Sequence, residues 1–298
     1  MLHLLFAVSL AVSAPPGFWA HWGDGKAELN GYTLTQQRYG ETRTGQATLI
    51  FVTEDFSETF RVKAEPGKHA AADVFPVIKL NMAEDFQTGI YDYNVMTSVW
   101  TRVEAGHGMA AGAPVKMSFS SQEWCGHVFE TWWFKPDGTV KYDRHSYFDG
   151  EADDAAVIKG GVTYGDTLFL IARGLAAGTP APGKSSTIWY APRLKSQRLL
   201  HLPLGSLQST LTRAAAPETI NVKAGAFETE RFSVTTDGTT RITLWVERAA
   251  PRRIIAWEIP NEERAELNGS IRDAYWTHNK NGDEALLPKL GIRPQPVR

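Results

Sequence analysis

Short blocks of β-branched and aromatic residues, cut apart by Gly, Pro, Asn and Asp, recur along nearly the whole chain and commit it to a β-rich fold. Three neighbouring pairs of blocks are joined by readable turn chemistry. Residues 126–134 and 139–148 flank Lys135-Pro136-Asp137-Gly138, where Pro136 presets φ and Gly138 accepts a positive φ. Residues 226–235 and 240–247 flank Asp237-Gly238, a two-residue hairpin signal. Residues 242–248 continue through Ala249-Ala250-Pro251 into 253–259, which makes a three-stranded meander. In the last of these strands Arg253, Ile255, Trp257 and Ile259 alternate with Ile254, Ala256 and Glu258.

The amino-terminal half reads the same way. Residues 28–38, 46–53 and 58–63 form a predicted meander, and Leu49-Ile50-Phe51-Val52, apolar on both faces, predicts a central strand. A loop over 64–73, with Pro66-Gly67, leads to strands over 75–85 and 88–103. The Gly- and Ala-rich stretch 105–114 reads as a long loop or junction, with no shift in charge or complexity beside it. One helix stands out: Leu168, Ile171, Ala172 and Leu175 follow the i, i+3, i+4, i+7 template. Asp166 is placed to cap its start and Gly178 to close it, so the helix is predicted over about 165–177. Residues 186–202 return to strand character. Ala-Glu-Leu-Asn-Gly occurs twice, at 27–31 and 265–269, without any wider period. The expectation is a mainly β fold, a large curved antiparallel sheet or half-open barrel packed on one helix.

The two ends and the composition set the remaining bounds. The apolar run 4–12, followed by Ala11-Val12-Ser13-Ala14, has the form of a signal peptide cut near Ala14. Pro15 and an n-region holding only His3 depart from that pattern, and a first buried strand is the alternative. The expected layout is a signal peptide over 1–14 and a single β domain over 15–298, which predicts an exported protein, periplasmic or secreted. No later apolar run reaches the roughly 18 residues of a membrane-spanning helix. The 298 residues carry a formal net charge of −2 and no basic stripe, so no nucleic-acid partner is expected. Cys125 stands alone, which excludes an internal disulfide and leaves the core to packing.

The carboxy-terminal third resembles a family of exported bacterial β proteins of unknown function. The resemblance lies in Val222-Lys-Ala-Gly-Ala-Phe227, Leu244-Trp-Val246, Ile255-Ala-Trp257, and Ala265-Glu-Leu-Asn-Gly-Ser270 followed by Tyr275-Trp276. Upstream, Gly165-Asp-Thr-Leu-Phe-Leu-Ile-Ala-Arg173 is similar to that family's helix. Gly31-Tyr-Thr-Leu34 with Gly45-Gln-Ala-Thr-Leu49 is similar to its first hairpin. What the resemblance implies is a curved antiparallel sheet wrapped around a helix. It implies no activity, because every matching element is a structural one and none is catalytic.

Few groupings suggest chemistry. In Glu123-Trp124-Cys125-Gly126-His127, a continuous strand would place Glu123, Cys125 and His127 on one face, the minimal arrangement for an activated thiolate. The alternative is an apolar Cys beside a hydrogen-bonded His. No metal site is expected. The His residues form no ligand pair, and the calcium-loop match at Asp149, Glu151 and Asp153 fails because Asp154 and Gly160 stand where Gly and Glu are required. No cofactor motif is present. Ten Trp residues imply mostly core rings, while adjacent Trp132 and Trp133 must face opposite sides of a strand. Trp132, Trp133 and Trp124 are therefore the candidate binding residues, in an apolar groove for a lipid, a polysaccharide or an envelope protein. The expected function is non-enzymatic binding. A hydrolase or transferase using Cys125 with His127, and a structural envelope role, are the alternatives.

Overall fold

Turn chemistry builds this molecule hairpin by hairpin. In the computed structural model, which describes residues 14, 16–151 and 153–294, Gly138 has φ 78° and Asp137 accepts the Thr139 N–H at 2.9 Å, closing one hairpin tightly. Asp237 and Gly238 both take positive φ, the pair a twisted two-residue turn requires.

The first eight strands form one long antiparallel meander. They are β1 (Ala27–Arg38), β2 (Glu41–Ser57), β3 (Val74–Thr88), β4 (Tyr91–Arg102), β5 (Pro114–Glu123), β6 (Gly126–Phe134), β7 (Thr139–Ser146) and β8 (Asp154–Lys159). The rest of the sheet is β9 (Val162–Tyr164), β10 (Ser185–Ala191), β11 (Leu207–Arg213), β12 (Glu218–Val222), β13 (Gly225–Thr236), β14 (Thr239–Glu247), β15 (Ile254–Ile259) and β16 (Glu263–Asp273). The chain returns on itself because β16 pairs with β1, giving the order 8-7-6-5-4-3-2-1-16-15-14-13-11-10-9, with β12 alongside β13. Only the β9–β10 pair is parallel. The sheet is curved and does not close: its two edges are β8 and β9, consecutive in sequence and separated by Gly160-Gly161.

The concave face holds the main core. Leu49, Phe51, Leu80, Met82, Phe119, Trp132, Leu244 and Trp257 are buried there with two short helices, α2 (Leu168–Arg173) and α3 (Leu194–Leu199); α1 (Phe18–Trp22) packs Phe18 and Trp22 into the same cluster. On the convex face Ala27, Leu29 and Val52 are covered by Leu290 and Ile292, with Ile50 packed beside them. The Leu49–Val52 segment is thus buried on both sides, as its composition predicts. The repeated pentapeptide finds its reason here. Gly31 and Gly269 face each other across β1 and β16, and a Cβ at either would lie about 2.2–2.3 Å from the Leu290 or Lys289 carbonyl oxygen. Both must lack a side chain for the carboxy-terminal segment to cross the sheet.

Several expectations are corrected. The helix predicted over 165–177 spans six residues and ends at Gly174, which takes φ 77°, so Gly174 and not Gly178 is the terminating glycine. Asp166 does not cap it: its carboxylate accepts the Leu194 N–H at 2.8 Å and serves α3. All six α2 residues are buried, where the sequence pattern implied one apolar stripe, because the sheet surrounds the helix. Residues 186–202 split after Pro192 into a strand and α3. Residues 58–63 are a turn, set by Arg61 in the left-handed region and by Thr59 N–H bonding to Asp73, while β2 runs on to Ser57. Within the stretch 105–114, residues 105–113 are a loop and Pro114 opens β5, which pairs directly with β4. Most Trp rings are not core. Trp22, Trp132 and Trp257 are; Trp19, Trp124, Trp189 and Trp276 are exposed. The proposed signal peptide lies almost wholly outside the described residues.

Candidate functional site

Two charged clusters fasten the helices inside the sheet. Arg173, at the end of α2, makes a two-pronged ion pair with Glu28 (2.7 and 3.0 Å) and lies 4.1 Å over the Phe51 ring. Burial opposes the Glu28 charge, but Arg173, with His21 and Asn30, holds its carboxyl down at about 2. At the other end of α2, Arg193 reaches Asp166 (3.0 Å), Glu84 (2.6 Å) and Glu263, while Lys195 reaches Glu84 (2.6 Å) and Glu263. Trp257 Nε1 donates to Glu263 at 2.8 Å. Three carboxyls meet two cations, and burial raises Asp166 even against Arg193. Every residue of α3 is buried, so this pairing is what allows a helix reading Leu-Lys-Ser-Gln-Arg-Leu to occupy the interior.

The helices therefore fill the concave side, and exposed apolar side chains gather at one end of the sheet. By the alternation of antiparallel strands, the β1–β2, β3–β4, β5–β6 and β7–β8 connections and the 200–206 segment share one end. Arg38 at the tip of β1 donates to the Leu199 carbonyl at 2.6 Å, which fixes the end of α3 there too. This end is apolar. Tyr39 (59% exposed), Ile90 (79%), Trp124 (65%) and Tyr147 (71%) project from four separate connections, joined by Leu200, Leu202, Leu204 and Leu207. These eight are half of all the large apolar side chains exposed among the described residues.

Beneath it, between the concave side of β6–β7 and the end of α3, lies a cavity of about 480 Å³. Glu130, Arg144, Glu151, Arg198 and His201 line it, and Leu202, Pro203 and Leu204 form its apolar wall. Glu130 is 8% exposed, and its one hydrogen bond comes from Trp132 Nε1 at 3.2 Å. Burial pushes its carboxyl up to about 7, outweighing the Trp132 donor and Arg144. Glu151 accepts from Arg198 (3.3 Å) and meets His201 Nδ1 at 2.9 Å, while Arg198 stacks 3.5 Å over Phe148.

The residues singled out from sequence do not assemble. Trp124 and Cys125 form the two-residue turn between β5 and β6, which breaks the alternation. Glu123 is buried on the concave side and pairs with Gly126, whereas His127 is exposed opposite Gln122 on the other face. Glu123 accepts the Cys125 backbone N–H at 2.7 Å, and its hydrogen bond and charge push the exposed thiol up, away from the reactive thiolate. Trp132 is core, against Tyr142 and Tyr164 at 4.3 and 5.3 Å between ring centres. Trp133 lies half-buried on the convex face under Lys141, in a shallow hollow with Phe60 and Arg61. Of the three tryptophans only Trp124 reaches the apolar end. Glu130 was missed, although the strand period exposes it: it shares the inward face with Val128, Trp132 and Phe134, a carboxyl among apolar neighbours.

No family model and no curated protein matches the chain. Among solved structures it is similar to a beta-barrel-like protein of domain of unknown function DUF1849 from Brucella abortus, at 10% identity and a TM-score of 0.45, over 83% of this chain and 97% of that one. A likeness at that level carries neither a shared site nor a shared activity.

Proposed function

We propose that this is an exported, non-enzymatic binding protein that holds the apolar chain of an amphiphile across the loop end of its sheet. The observation that carries the reading is the gathering there of eight large exposed apolar side chains, from four strand connections, the 200–206 segment and the start of β11. Leaving that much apolar surface in water costs about 25 cal/mol per Å², a cost that covering it with an acyl or alkyl chain removes. Export is supported by the apolar run 4–12 and the small residues before Pro15. The thiol-dependent alternative loses its support, since Glu123 and His127 sit on opposite faces.

The test is direct. Protein purified from its native envelope fraction should retain an amphiphile visible by native mass spectrometry, and 1-octanol titrated into the stripped protein should give a saturable heat. Leu204→Ser combined with Trp124→Ser should weaken octanol binding about tenfold, the loss of roughly 1.4 kcal/mol of apolar contact. A clean mass together with no saturable octanol binding overturns the reading.

A further inference from the structure

The cavity under the loop end has more carboxyls than cations: Glu130, Asp149, Glu151 and Asp154 share it with the guanidinium groups of Arg144 and Arg198 and with His201. Its three basic groups are turned to Glu151: Arg198 and His201 to the carboxylate, and Arg144 to the main-chain carbonyl at 2.6 Å. Glu130 faces Arg144 across the β6–β7 pair and feels its charge, but its one side-chain hydrogen bond comes from the indole N–H of Trp132. The side chains of Asp149 and Asp154, on the same lining, make no hydrogen bond or ion pair among the described residues. The second oxygen of this nine-tenths buried carboxyl is left open to a further donor from the cavity.

We propose that this cavity receives the positively charged head of an organic cation, a primary ammonium or guanidinium, with Glu130 as its counter-ion. The inference rests on the amphiphile reading above, since Leu202 and Leu204 belong both to the cavity wall and to the apolar end, so that head and chain of one ligand reach both. An ammonium offers three donors and a guanidinium five, which suits a carboxyl short of donors flanked by further acids. An anionic head would meet Glu130, Asp149 and Asp154 instead. A bare metal ion does not fit: among the described residues no three His, Cys, Asp or Glu side chains converge as a ligand set.

Binding then depends on pH. Burial pushes the Glu130 carboxyl up to about 7, opposed by Trp132 and Arg144 and helped by Glu151 and Asp166. It faces Asp154 from β8, Asp149 and Glu151 from the preceding loop, and Arg198 and His201 from α3 and its exit. A cation prefers the ionised form, so affinity rises as pH goes from 6 to 8.

The experiment compares octylammonium with 1-octanol by calorimetry, on wild type and Glu130→Gln, at pH 6 and pH 8. A near-isosteric Gln keeps an acceptor for the Trp132 indole and removes a buried charge, so the variant is expected to fold. Octylammonium should bind about tenfold more tightly than octanol at pH 8, the worth of one charge-assisted hydrogen bond, and less so at pH 6. The preference should vanish in Glu130→Gln, while Leu204→Ser should weaken both probes and leave their ratio intact. Equal affinities in wild type, or a preference that survives Glu130→Gln, overturns the cation site and leaves the amphiphile reading standing. If neither octyl probe binds, the amphiphile reading fails, and 1,5-diaminopentane decides the cation site alone: binding lost in Glu130→Gln supports it, and no binding overturns it.

Discussion

Glu28 shows how much a single buried side chain can carry here. Its carboxylate neutralises Arg173 inside the sheet, and its folded-state pKa of about 2 lies below the ordinary 4.5. An acid depressed on folding stabilises the fold above its unfolded pKa and loses that contribution as pH falls, so here the loss runs from about 4.5 to about 2. The amount is on the order of 3 kcal/mol. Glu28→Gln should flatten that part of the stability–pH curve. At neutral pH it should also cost about 3–5 kcal/mol, because Arg173 keeps its charge and loses its counter-ion. Urea denaturation at several pH values measures both; an unchanged acid limb would mean that the pair does not set the acid sensitivity. Glu28 opens a strand in the sequence with no sign of this role. Its partner lies 145 residues away, and strand period reports only which face a side chain takes.

At the scale of elements, α3 is the least expected feature. Its six residues lie in a stretch that reads as strand, and helix propensity alone does not sustain so short a helix. It persists because Asp166, Glu84 and Glu263 come from three other segments to meet Arg193 and Lys195. Lys195→Met should destabilise by about 3 kcal/mol, since it leaves Glu84 and Glu263 sharing one Arg193. Adding Glu263→Gln should restore part of the loss, and a thermal-melt cycle over the two single variants and the double gives the coupling. Additive losses would show that the contact is not what seats the helix. The hairpins, by contrast, were legible: Pro136-Asp137-Gly138 and Asp237-Gly238 dictate turns whose geometry needs no partner elsewhere. The thiol site failed for the same local reason. Trp124-Cys125 makes the turn that sends Glu123 and His127 to opposite faces.

Over the whole molecule, pairing β1 with β16 ties the two halves together and leaves the free edges at β8 and β9. The centre, β1 to β3, is covered on both sides, whereas most side chains of β8 are exposed or half-exposed. Hydrogen exchange should therefore find slowest amides in β1–β3 and much faster exchange in β8 and β9, with opening at the edges well below the global unfolding free energy. Uniform protection would mean that the edges are held by contacts beyond those of the sheet.

The sequence by itself determined the class of fold, the main hairpins and the doubly covered strand at Leu49–Val52, because alternation and turn geometry are properties of neighbouring residues. It also marked Trp132 and Trp133 for opposite faces. Tertiary structure alone decided that both helices would be enclosed, that buried charges would pin them, and that the connections would gather their apolar tips at one end above Glu130. Those outcomes depend on which distant segments meet when the sheet curves, and no local pattern encodes that closure.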